Sequence, residues 1–112
     1  MGKGPKRSPT DEARMPSRRE TEDALRRLAP KISPFEFNAI IDHAMDSAGL
    51  SKASPETAAW LSMVAFVRHN FTDYDALLDD GYDQAAARHF VAAEIEDVLA
   101  GWGVRRKLSA GE

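Results

Sequence analysis

Between Phe37 and Ala48 the apolar residues fall at Phe37, Ile40, Ile41, Ala44, Met45 and Ala48. That i, i+3, i+4, i+7, i+8, i+11 spacing lines one face of an α-helix and cannot lie on one face of a strand. A single apolar face is stable only when another element covers it, so the stripe demands helical partners. The residues before it agree. Ser33 can cap, Pro34 suits the first helical position, and Glu36 is placed to reach back and close a capping box. Ile32 and Phe37 are spaced for a hydrophobic staple, and Gly49 is expected to stop the helix.

The same grammar recurs along the chain. Ser17-Arg18-Arg19-Glu20 fits a capping box, followed by Ala24, Leu25 and Leu28 and a stop at Pro30. Ser54-Pro55-Glu56 opens a helix carrying Trp60, Leu61, Met63, Val64, Ala65, Phe66 and Val67, apolar nearly all round and so expected in the middle of a bundle. Two further helices are expected at about 72–80 and 83–102, the last with Val91, Ile95, Val98, Leu99 and Trp102 on one side. No window shows strand alternation. The expected fold is all-α, a single compact bundle of four to five helices over residues 17–104, with Trp60 and Trp102 as core aromatics. Residues 1–16 hold three Pro and two Gly and are expected to form a disordered basic tail, and 105–112 a short basic C-terminal tail.

Composition removes several chemistries. The chain has no cysteine, hence no disulfide framework, zinc–thiolate centre or thiol nucleophile. No apolar run approaches the roughly 18 residues of a membrane span, and the opening residues lack the apolar core of a secretory signal. The expectation is a soluble cytoplasmic protein without membrane contact. Charge is unevenly spread. Lys3, Lys6, Arg7, Arg14, Arg18 and Arg19 face only Asp11 and Glu12 near the start, and Arg105, Arg106 and Lys107 follow the last helix. The body between is acidic, with Lys31, Lys52, Arg68 and Arg88 against twelve Asp and Glu. Basic ends on an acidic body sometimes mark interaction arms.

The stretch from Val67 to Val91 concentrates polar side chains, most of them assignable to helix punctuation. Thr72 can cap the fourth helix, with Asp73 and Asp75 in its first turn where the dipole favours negative charge. Gly81 suits the left-handed C′ position, which sets Tyr82 against Leu77, and Asp83 caps the next helix. Arg68 and Arg88 continue apolar stripes, and a guanidinium at a core edge calls for carboxylate partners. Both are expected to meet the Asp73–Asp83 group and lock the short fourth helix in place. The candidate polar cluster is therefore Arg68, His69, Asp73, Asp75, Asp79, Arg88 and His89. His43, on a polar face beside Asp42 and Asp46, is read as solvated. A divalent metal on His69, His89 and one of Asp73, Asp75 or Asp79 is chemically conceivable, but HExxH and the EF-hand spacing are missing. No P-loop, GxGxxG or nucleophile elbow is present, so no catalytic residue, cofactor or metal is assigned.

The run "FTDYDALLDDGYDQAAARHFV", continued by Ile95, Leu99, Trp102 and Gly103 and preceded by "ASPETAAWLSMVAFVRH", resembles domain-of-unknown-function family 2293. The resemblance covers about Leu25 to Arg106, with "RHNFTDYDALLDDGYD" its most specific piece. It implies a small standalone domain and brings no activity, cofactor or catalytic residue. The preferred functional reading is a small non-enzymatic protein-interaction module whose partner is another protein. Weak nucleic-acid binding through the basic termini is the first alternative. A helix-turn-helix mode is disfavoured, because Glu94, Glu96 and Asp97 would face phosphate. The second alternative is an enzyme or metal site on Arg68, His69, Asp73, Asp75, Arg88 and His89.

Overall fold

A computed structural model describes residues 17–112, so the tail expected at 1–16 lies outside the described residues. Five α-helices follow one another: α1 (Arg18–Leu28), α2 (Pro34–Asp46), α3 (Pro55–Phe71), α4 (Tyr74–Asp79) and α5 (Gln84–Gly101). One 3₁₀ turn, Ala48–Leu50, lies between α2 and α3, and no strand occurs among the described residues.

The expected starts hold, with local differences. At α1 the capping box is complete: Glu20 N–H donates to Ser17 Oγ at 3.0 Å, and Ser17 N–H to Glu20 Oε1 at 3.2 Å. At α3, Thr57 N–H donates to Ser54 Oγ at 3.1 Å with Pro55 at the first position. At α5, Ala86 N–H donates to Asp83 Oδ1 at 2.8 Å. Ser33 is the N-cap of α2, but its hydroxyl accepts nothing and no box forms. Ser33 is exposed, so water can serve the free N–H groups there. Gly49 is not the stop of α2. The helix ends at Asp46, where Ser47 turns extended and Ala48 is left exposed.

Helix α3 is the axis of the bundle, in contact with α1, α2, α4 and α5. It buries Ala58, Ala59, Trp60, Met63, Val64 and Val67, as an all-round apolar helix must, although Leu61 turns out toward solvent. Around it lie Leu25 of α1, Phe37, Ile40 and Ile41 of α2, Tyr74 of α4, and a four-residue ladder on α5, Ala87, Val91, Ile95 and Leu99. Trp60 is a core aromatic as expected, whereas Trp102 is only half-buried, its ring edge-on to Phe71.

Two glycines close helices in the same way. After α4, Tyr82 N–H bonds Leu77 O and Gly81 N–H bonds Leu78 O, a Schellman pair with Gly81 at φ +102°. After α5, Val104 N–H bonds Leu99 O and Gly103 N–H bonds Ala100 O, with Gly103 at φ +84°. The second turn is also an approach point. Lys31 N–H donates to Trp102 O at 2.9 Å, and a Cβ on Gly103 would stand 3.0 Å from Pro30 Cγ. Thus the corner between α1 and α2 is fastened to the end of α5.

Gly103→Ala is expected to destabilise the fold by about 1–2 kcal/mol from the left-handed backbone alone, more if Pro30 cannot yield. In thermal unfolding that is a fall of roughly 4–8 °C per kcal/mol for a domain of this size. Ser62 provides the opposite case, since its hydroxyl is buried without a hydrogen-bond partner. Ser62→Ala removes an unsatisfied polar group from a helix interior. It is expected to leave stability unchanged or raise it by up to about 1 kcal/mol in denaturant titration.

Candidate functional site

The polar cluster expected from the sequence does not assemble as one site. The first reason lies in α4. Tyr74, Leu77 and Leu78, at i, i+3 and i+4, turn toward the core, which leaves Asp73, Asp75, Asp79 and Asp80 exposed on the other side, with Asp83 exposed beyond. The carboxylates thus face water, while Arg68 is buried on α3.

The histidines part company as well. His69 Nδ1 lies 2.8 Å from Asp75 Oδ1, its ring edge-on to Tyr74, and both members of the pair are about half exposed. This contact ties the end of α3 to the start of α4 across the Thr72 corner. There Thr72 Oγ1 donates to Arg68 O and accepts from Tyr74 N–H, so Thr72 closes α3 and the N-cap of α4 is Asp73. His69 lines a small depression with His43, Ala65, Phe66 and Asn70, whereas His89 lines a different cleft on α5. Among the described residues no three His, Asp or Glu side chains gather as a metal would require. His69, His89 and an aspartate are therefore not brought together as a ligand set.

Arg68 and Arg88 do converge, but on the end of the chain. Arg68 Nη2 donates to the main-chain oxygen of Glu112 at 3.0 Å, and Arg88 Nη1 to that of Gly111 at 3.1 Å. Neither arginine forms an ion pair with an Asp or Glu side chain among the described residues. Arg68 is only 7 % exposed, with its Cζ 5.4 Å above the Tyr74 ring. The Nε atoms of both arginines are buried without a partner. Burial, and next the charge of Arg88, push the Arg68 pKa down, as expected when two guanidiniums sit close in poorly hydrated surroundings.

Residues 105–112, expected as a tail, are a docked segment. Val104 is buried and Leu108 packs against the core. Leu108 N–H donates to Glu96 Oε2 at 3.1 Å. Arg106 does not extend as a basic arm: its Cζ stands 4.1 Å over the Trp60 ring. The segment ends in a tight turn, Glu112 N–H to Ser109 O, with Gly111 at φ +88°. That turn brings the Glu112 carboxylate to Trp60 Nε1 at 2.9 Å and to Ser109 N–H at 2.8 Å. Burial alone would raise the Glu112 pKa. The hydrogen bonds from Ser109 and Trp60 and the nearby Arg106 outweigh it and hold the carboxyl below its ordinary range.

Beside the segment, an open cleft of about 390 Å³ separates it from Ala85, Arg88, His89, Ala92, Ala93 and Glu96 of α5. A larger depression, about 470 Å³, lies at the corner of α1 and α2. Its one arginine, Arg26, already stacks 4.8 Å over the Phe37 ring and pairs with Asp23. The buried guanidinium donors without a partner, Arg68 Nε and Arg88 Nε, are at the α3/α5 groove, which is the better candidate site. Sequence reasoning missed Trp60, Glu96, Arg106 and Glu112 as members of this site. Only the isolated Leu108 after a glycine stop hinted that the chain end packs.

No helix among the described residues is long and apolar enough to cross a membrane. No curated protein and no solved structure matches the chain. The model of the family described as an uncharacterized conserved protein (DUF2293) matches residues 24–103, nearly the whole helical bundle, and the chain belongs to that family.

Proposed function

We propose that this protein is a non-enzymatic binding module that takes a short acidic peptide segment of a partner protein into the groove between α3 and α5. One observation carries the reading. Three buried or half-buried donors on two helices, Trp60 Nε1, Arg68 Nη2 and Arg88 Nη1, all serve residues 111 and 112 of a single segment. The bond from Arg88 goes to the Gly111 carbonyl, which any peptide carries, and that from Trp60 to the Glu112 side-chain carboxylate, which selects an acidic residue. The apolar anchor is Leu108, and the aromatic platform is the Trp60 ring under Arg106. Such a combination of a buried Trp, paired arginines and one apolar contact is the composition of a recognition hot spot.

The chain's own segment masks the groove, because a tethered segment competes at an effective concentration on the order of millimolar. Glu112→Ala weakens that competitor without touching the groove. A synthetic peptide with the sequence of Lys107–Glu112 is expected to bind the Glu112→Ala chain one to one, read by calorimetry and by Trp60 fluorescence. The peptide with alanine in place of its glutamate should bind roughly 10–100-fold more weakly, the worth of a hydrogen bond to a charged group. Equal binding of the two peptides, or of neither, would rule the reading out.

The pH dependence follows from the Glu112 carboxyl. Its folded-state pKa lies below the ordinary value, so ionised Glu112 stabilises docking at neutral pH. That contribution is complete above the unfolded-state value of about 4.3 and is lost as pH falls through the folded-state pKa. The Trp60 Nε1–H resonance is accordingly expected to move toward its solvent-exposed position on acidification below about pH 4, while the resonances of α1 and α2 hold.

A further inference from the structure

The turn at Gly103 joins basic residues that lie far apart in the sequence. Lys31 N–H donates to Trp102 O at 2.9 Å, and a Cβ on Gly103 would stand 3.4 Å from Lys31 Cγ. Lys31, in sequence a lone cation of the acidic body, thus stands at the start of the Arg105–Lys107 run. Lys31, Arg105 and Lys107 are exposed and form no ion pair among the described residues. Their neighbours in sequence differ: Arg26 pairs with Asp23, Arg27 with Glu56, and Arg106 covers the Trp60 ring. Aromatic rings adjoin the free cations. Trp102, whose carbonyl holds Lys31, has its ring edge-on to Phe71 at 6.0 Å, and Phe71 in turn lies 6.1 Å from Phe66. Phe71 is 46 % exposed and Trp102 half-buried. Pro30, which touches the Gly103 turn, also lines the depression of about 470 Å³, so the surface continues into it past Arg26 and Asn38. The carboxylate on that wall, Glu22, is held by Arg18 at 3.1 Å.

We infer that Lys31, Arg105 and the Phe71–Trp102 pair form a binding surface for single-stranded nucleic acid. The surface shares none of these four residues with the α3/α5 groove and does not draw on the peptide-binding reading. Exposed rings beside unpaired cations supply the two things a single strand offers partners for: base faces to stack on and phosphates to neutralise. A duplex hides its base faces in its own stack, so Phe71 and Trp102 select unpaired bases. Lys31 and Arg105 meet phosphates, which fixes position without reading sequence. A bilayer, the other extended anionic surface, is entered by apolar side chains that project toward it. Here the tryptophan is half-buried and the surface runs into a depression, a shape that admits a strand.

The test is fluorescence anisotropy of a labelled oligothymidylate of about twelve nucleotides titrated with the full chain. A second chain, with Lys3, Lys6, Arg7 and Arg14 changed to glutamine, removes the basic residues that lie outside the described ones. In that chain, binding is expected to weaken roughly sevenfold between about 50 and 200 mM salt, because two phosphate contacts on a single strand give a log–log slope of about −1.4. Adding Lys31→Gln and Arg105→Gln, both exposed changes, should remove that salt dependence and weaken binding about tenfold at the lower salt. Phe71→Leu keeps an apolar contact with Phe66 but has no ring face, and should weaken binding roughly fivefold or more, with the fold verified by circular dichroism. In nitrogen-15 spectra of the full chain, the oligonucleotide should shift Trp102 Nε1–H and Lys31 N–H and leave Trp60 Nε1–H in place. Undiminished binding in the Lys31/Arg105 variant overturns the inference, as does binding that disappears with the four N-terminal substitutions alone. Equal affinity for a duplex of the same length overturns it too, since stacking would then play no part. Binding to vesicles of equimolar phosphatidylcholine and phosphatidylserine, with none to the oligonucleotide, marks a lipid-facing surface instead and likewise overturns it.

Discussion

Helix α3 turns only one strip to solvent, with Thr57, Leu61 and His69 exposed along it, and the rest of the molecule follows from that. A helix apolar over most of its circumference must be enclosed on its other sides, and each neighbour contributes a stripe to the enclosure. Helices α1, α2 and α5 supply three walls with Leu25, the Phe37–Ile41 stripe and the Ala87–Leu99 ladder. Six residues of α4 cover one end of α3 through Tyr74. What remains is the flank holding Trp60, and there the covering element is not a helix. The segment after α5 lays Arg106 on the indole face and Glu112 on its N–H, so the largest core side chain has both its apolar surface and its one donor satisfied. Gly103 makes this route available, because its left-handed turn lets the chain leave α5 toward the α1–α2 corner.

Enclosure by a chain end has an electrostatic consequence. Arg68 lies on the buried side of α3, between Tyr74 and the docked segment, where carboxylates at the tip of α4 do not reach it. A buried guanidinium is costly unless its donors are met, and here Arg68 Nη2 bonds the Glu112 main-chain oxygen while its Nε has no partner. The docking of residues 108–112 thus closes the core over Trp60 and supplies one acceptor to each of the two arginines.

Much of the fold was legible in the residues. The caps at Ser17, Ser54 and Asp83, the Schellman closure at Gly81 and Tyr82, and the central position of α3 all follow from interactions within about one helical turn, or from periodicity within one helix. Where the reading failed locally, at Ser33 and Gly49, the structure had a second way to begin or end a helix at an exposed position. The candidate site was legible only in part. Arg68 and Arg88 stood out as cations at core edges, but their partners were sought among the nearest carboxylates in sequence. The partner that the structure provides is 44 residues from Arg68 and 52 from Trp60, on a segment with no periodicity of its own.

What the sequence determined by itself is therefore the set of helices and the identity of the one that must be central. Capping, turn chemistry and apolar spacing act over a few residues and need no knowledge of the rest of the chain. The tertiary structure alone decided which charges meet. Ion pairing depends on which face each helix turns inward, and burying Tyr74, Leu77 and Leu78 left every neighbouring aspartate facing water. Because hydrophobic burial outweighs the contribution of an exposed ion pair, the core chose the orientation of α4. Among the described residues, the arginines were left to the main-chain oxygens of Gly111 and Glu112.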